Sequence, residues 1–170
     1  MKRLLILLFL LTSCNNNSSS SLSILINESS KDYKDYSEYY IELNEMYNID
    51  NEEYVIYFYS NTCPACYDMK DNLFNYLDYS NKILDIYIIN LFEADEEYFN
   101  KFLEDTSLSN EEKKEKSIGA TSLEETYFIH TPSLYFISKV NNINSLNDIY
   151  YNYYDVQSFF IENKKVSKSN

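Results

Sequence analysis

Two cysteines separated by two residues, Cys63 and Cys66, mark the place where this sequence could do covalent chemistry. At that spacing the sulfurs can close a disulfide, exchange with one on another molecule, or ligate a metal. The flanking residues favour exchange. Before the pair, Glu53-Tyr54-Val55-Ile56-Tyr57-Phe58-Tyr59 is apolar and aromatic beyond its first residue, the pattern of a strand buried on both faces. After it, Cys66, Met69, Leu73 and Leu77 fall on one face of a helix predicted to reach about Ser80. A strand, the pair and then a helix is a redox context rather than a zinc knuckle. Pro64 supplies the physical reason, because proline suits the first position of a helix and so places Cys63 at the N-cap. There its sulfur can accept the amide N–H of Ala65 or Cys66, as a serine oxygen would. Those donors and the helix dipole favour the anion, so the Cys63 thiol is expected to titrate below its free value of roughly 8.5.

Further elements must hold this pair in place. Residues 32–48 carry Tyr33, Tyr36, Tyr40, Leu43 and Tyr47 at spacings of three and four, which predicts an amphipathic helix packing an aromatic stripe inward. Leu22 to Ile26 is read as a first edge strand, and Ile83 to Leu91 as a strand parallel to 53–59 through a right-handed crossover. Residues 94–104 read as another helix, and the charged stretch Asp105 to Ser117 as a solvated helical insertion or a partner-binding surface. A helical segment is expected from Leu123 to Ile129, followed by His130-Thr131-Pro132 and a strand from Leu134 to Ile137 that the proline must precede. Asn141-Asn142 predicts a hairpin turn into a strand at about Asp148 to Tyr153, and Asp155 a cap for a last helix with Val156, Phe159 and Phe160 inward. The lysine-rich residues 164–170 form a tail.

The N-terminal residues read as a targeting segment. Lys2-Arg3 precede the apolar run Leu4 to Leu11, too short to span a membrane, which needs about 20 residues. The run ends Leu11-Thr12-Ser13-Cys14, which resembles a bacterial lipobox, so residues 1–13 are expected to be removed and Cys14 lipidated. Residues 14–31, opening on a polar Asn/Ser tract, are then a tether reaching some 20–25 Å by chain statistics. This predicts an extracytoplasmic protein anchored to the bacterial cell membrane. With Cys14 so used, no thiol is left over for a further disulfide. The net charge of −13 becomes −15 without Lys2 and Arg3, which argues against nucleic acid and is compatible with a cationic peptide or protein partner.

The order of elements resembles the thioredoxin fold over residues 22–163: an α/β domain, here 32–163, with a central mixed sheet of four to five strands flanked by helices. The matching motifs are Cys63-Pro64-Ala65-Cys66 at a helix start and Thr131-Pro132 at a strand start. The resemblance implies a cis bond before Pro132, beside the cysteines, with Thr131 offering main-chain groups to an extended substrate. It implies that Cys63 attacks, that Cys66 resolves, and that Pro64, Ala65 and Pro132 shape the site. The overall look is similar to membrane-tethered thioredoxin-like lipoproteins, including bacteriocin-transport accessory proteins. Three departures stand out. Tyr57 occupies a position where cytoplasmic thioredoxins carry a buried Asp that helps deprotonate the second cysteine, Thr62 replaces a Trp, and Pro-Ala replaces Gly-Pro.

These readings predict a thiol–disulfide oxidoreductase of undetermined direction, acting on protein substrates with a redox partner protein and needing no cofactor. His130, the single histidine, either lowers the Cys63 pKa or relays protons, or points to solvent. Two other functions stay open: a non-catalytic lipoprotein using the fold for protein contact, and a metal-handling dithiol with Cys63, Cys66 and His130 as ligands, although no metal is expected.

Overall fold

A computed structural model of the chain describes residues 31–79, 82–94 and 107–163. The expected strand at Leu22 to Ile26, the helix at 94–104, the tail and the lipobox lie outside them, save Ala94. Four strands are described: β1 (Glu53–Tyr59), β2 (Asp85–Asn90), β3 (Ser133–Val140) and β4 (Ile143–Tyr150). They form one mixed sheet in the order β2-β1-β3-β4, with β1 parallel to β2 and antiparallel to β3. Among the described residues the α-helices are α1 (Pro64–Leu77), α2 (Asn110–Ser117) and α3 (Tyr153–Glu162).

The central strand is buried because its alternate residues feed two cores. Val55, Tyr57 and Tyr59 face the helix side with Met69, Leu73 and Phe74 of α1 and Val156, Phe159 and Phe160 of α3. Tyr54, Ile56 and Phe58 face the other side, against Leu43, Met46, Leu123, Phe128 and Ile129. The face predicted for the first helix holds: Cys66, Met69, Leu73 and Leu77 are all buried. Fully burying side chains of this size stabilises a fold by about 1.5–3 kcal/mol each.

Several boundaries differ from expectation. Residues 32–48 form two short 3-10 segments, Tyr33–Tyr39 and Leu43–Glu45, rather than one helix. Each begins at its own acidic capping box, at Asp32 and Glu42, and Tyr36 departs from helical backbone angles. Tyr33, Tyr36 and Leu43 are nevertheless buried, as their spacing required. Helix α1 stops at Leu77, before Ser80. Between Leu123 and Ile129 only the turn Leu123–Glu125 is helical. Beyond it, the backbone of Tyr127 is held by the Ser117 hydroxyl, which accepts its N–H, so its amide is diverted from any helix. Of the charged stretch, α2 begins at Asn110 behind a Ser109–Glu112 capping box. It ends at Ser117, and two residues on Gly119 takes a φ of +89°, open to glycine, and donates its N–H to the Leu146 carbonyl at 2.7 Å.

The β3–β4 hairpin is longer than predicted, running from Ser133 to Tyr150. Its turn is Asn141-Asn142, both at positive φ (55° and 66°), as a two-residue hairpin requires. The second strand thus begins at Ile143 and ends before Tyr153. The cap of α3 is Asn152, whose Oδ1 accepts the Tyr154 N–H at 3.0 Å, while Asp155 sits within the first turn.

Candidate functional site

Cys63 and Cys66 are joined by a disulfide with their Cα atoms 5.2 Å apart. Strand β1 ends at Tyr59, a turn follows, and α1 starts at Pro64, so the pair lies at the helix N-terminus. Cys63 is the N-cap, and its Sγ accepts the Cys66 N–H at 3.1 Å. The two sulfurs differ in access: Cys63 is partly exposed, Cys66 is 1% exposed. Pro64, exposed, and Ala65, half-buried, lie between them.

The second half of the site comes from far along the chain. The Thr131–Pro132 bond is cis, and the Thr131 carbonyl lies 3.4 Å from Cys63 Sγ. Once the disulfide is opened, the Cys63 thiol can donate to that carbonyl. Pro132 is buried and Thr131 partly exposed, so the threonine presents its backbone beside the accessible sulfur. Register fixes this meeting. Phe58 near the end of β1 pairs with Ser133 at the start of β3, so residue 132 must arrive level with the turn that carries the cysteines.

His130, read either as acting on Cys63 or as pointing to solvent, sits at the surface. It is exposed, its Nδ1 lies 3.1 Å from Asn110 Nδ2, and its ring stands edge-on to Tyr151. Accepting from that amide requires the neutral ring with its proton on Nε2. Packing against Asn110 and Tyr151 desolvates part of the imidazole and holds its pKa below the ordinary histidine value. These contacts tie it to α2 and the end of β4 rather than to the sulfurs.

The sequence assigned Tyr33 to core packing, yet its hydroxyl reaches the site. It donates to the Cys66 carbonyl at 3.1 Å and lies 3.3 Å from the Tyr57 hydroxyl, while its ring stacks on Tyr59 at 3.9 Å. Tyr57, fully buried, is therefore half of a neutral hydroxyl pair. Desolvation pushes both phenols well above the ordinary tyrosine range, so they stay protonated. Helical spacing flagged Tyr33 as inward but could not show that its polar end had a partner.

A four-stranded mixed sheet flanked by helices carries a close cysteine pair at the N-terminus of the helix following its central strand. The fold is thioredoxin-like. No family model matches the sequence, and no curated protein does. Among solved structures, the chain is similar to thioredoxin of Plasmodium falciparum at 20% identity and a TM-score of 0.42, over 73% of this chain and 86% of that one. So distant a likeness carries no information on activity. What the fold and its cysteine pair support at a general level is redox chemistry.

Proposed function

We propose that this protein is a thiol–disulfide oxidoreductase acting on protein thiols and disulfides outside the cytoplasm, anchored to the membrane by a lipidated Cys14. The observation that carries the chemistry is the asymmetric disulfide: one sulfur accessible at a helix N-cap, the other buried, with the Thr131 carbonyl beside the first. The charged leader, short apolar run and Leu11-Thr12-Ser13-Cys14 support the location.

In the reducing direction, the Cys63 thiolate attacks a substrate disulfide, forming a mixed disulfide and releasing one substrate thiolate. The Cys66 thiolate then attacks Cys63 Sγ, closing the Cys63–Cys66 bond and releasing the second. Two electrons pass to the substrate. Run backwards, the same steps oxidise a substrate dithiol. The Cys66 amide and the helix N-terminus stabilise Cys63 as the anion in either direction. Thr131 presents its backbone to an extended substrate chain, in the manner of strand addition.

Replacing Cys66 by Ala removes the resolving sulfur. Tagged Cys66→Ala protein, expressed at the cell surface, is expected to hold partners through Cys63 that reductant releases. Absence of any reductant-released adduct, with wild-type protein equally inert towards insulin disulfides, overturns the proposal and leaves the fold serving protein contact alone.

A further inference from the structure

Two adjoining clefts lie next to the turn that leads from β1 to the cysteines, which themselves line neither. One, of about 350 Å³, is lined by Tyr33, Tyr59 and Asn61, the last of them two residues before Cys63. The other, of about 220 Å³, lies between residues 40–45 and the end of β2. They share Tyr40 and Glu93, and so form one groove leading away from the cysteines. The phenols of Tyr40 and Tyr59 are hydrogen-bonded to each other at 2.5 Å along its length.

The far part of the groove has two independent features. Glu42, Glu45 and Glu93 line it, all exposed, and among the described residues no lysine pairs with them. Asn90, 5% exposed, also lines it, and its Nδ2 has no hydrogen-bond partner although its Oδ1 accepts the Phe92 N–H. A buried amide donor left unmatched costs free energy that an incoming acceptor recovers. Carboxylates without cations, above a donor without an acceptor, are complementary to a positively charged chain that also carries carbonyl groups.

We infer that this groove binds a lysine- or arginine-rich stretch of polypeptide flanking the cysteine of the substrate. The aromatic walls at Tyr40 and Tyr59 pack the aliphatic stems of its basic residues, the carboxylates take the charges, and Asn90 Nδ2 donates to a backbone carbonyl. Lys34 is the only cation among the described lining residues of the two clefts, and it stands in the part nearer the disulfide. The inference deepens the oxidoreductase reading and rests on it for the identity of the occupant as substrate. Its binding test needs no redox step.

The test uses the full chain in neutral detergent, oxidised, with two cysteine-free peptides of matched length, one rich in lysine and one rich in glutamate. The lysine peptide is expected to bind and the glutamate peptide not. Combining Glu42→Gln, Glu45→Gln and Glu93→Gln keeps the side-chain shape and is expected to weaken binding by about tenfold, the scale of a few exposed ion pairs. The side-chain amide signal of Asn90 in nitrogen-15 spectra, assigned by its loss in Asn90→Asp, is expected to shift as the lysine peptide is added. Equal binding of both peptides, unchanged affinity in the triple variant, or a stationary Asn90 signal overturns the inference. Insulin-disulfide turnover by the same preparation reports separately on Cys63 and Cys66: turnover without peptide preference sinks the groove alone, and preference without turnover upholds the groove while sinking the redox reading.

Discussion

On one face of the sheet, Val55, Tyr57 and Leu134 lie under α1 and α3; on the other, Tyr54, Ile56 and Tyr135 lie under short turns and extended chain that include Met46, Leu123 and Ile129. Both faces are equally dry, but they satisfy their backbones by different means. A helix pairs its own amides and carbonyls and leaves orphans only at its ends. Irregular chain cannot, so the second face takes its partners from side chains. The Tyr135 hydroxyl accepts the Ile129 N–H at 2.9 Å and donates to the Tyr127 carbonyl at 3.2 Å. Tyr54 donates to the Met46 carbonyl at 2.8 Å, and Asn144 Nδ2 to those of Tyr47 and Ile49. The cysteines belong to the helix-covered face, and Ile129, just before the cis-Pro segment, to the loop-covered one. The site is where the two constructions meet, and each half should fail in its own way.

The largest effect is expected from the helical side. Leu73 is fully buried among the α1 and α3 side chains, and Leu73→Ala should destabilise the fold by about 2–5 kcal/mol, read as a shift in urea midpoint at unchanged slope. A smaller loss than that of a hydroxyl deletion on the other face would break the contrast. Tyr135→Phe comes next. It leaves the ring in place but strips the Ile129 N–H of its acceptor and the Tyr127 carbonyl of one of its two donors, for a loss of about 1–3 kcal/mol. Because those groups lie just before His130-Thr131-Pro132, hydrogen exchange there should quicken more than at α1. Uniform quickening would mean that the loop-covered face is not independently held.

The smallest effect is a pH dependence at the seam. Burial depresses the His130 pKa in the folded chain, so the unfolded chain takes up this proton first as pH falls. Stability from this residue is therefore present above the ordinary histidine range near 6.5 and is lost as pH falls through the lower folded value. Wild-type protein should lose slightly more stability than His130→Gln between pH of about 7.5 and 5, measured by urea midpoints. An equal or steeper loss in the variant would show that His130 is not neutral in the fold.

How much of this was readable in advance follows the same division. The apolar run of β1, Pro64 at the first helical position and the Cys66-Met69-Leu73-Leu77 face identify the helix-covered half from spacing alone, because burial of repeating elements writes itself into periodicity. The other half carries no period. Ile143 to Asp148 alternates poorly, with asparagine and serine between its apolar residues, so its pattern does not reveal where β4 starts. Leu123 to Ile129 has a helical look, but Ser117 and Tyr135 compete for the backbone of Tyr127. Such partners are ten and eight residues away, and local propensity does not register them. For the same reason the cysteines, Pro64, Thr131 and Pro132 could be named as one site from motif and resemblance, whereas the reach of Tyr33 to Cys66 could not.

The unequal depth of the two sulfurs gives the molecule a front and a back. On the proposed function, a protein partner is linked at Cys63, the accessible sulfur, beside Pro64, Ala65 and Thr131, and Cys66 attacks from beneath to let it go. Small reductants and stray thiols in the surroundings meet the same restriction, so the order in which the two sulfurs engage is dictated by shape before any difference in acidity comes into play.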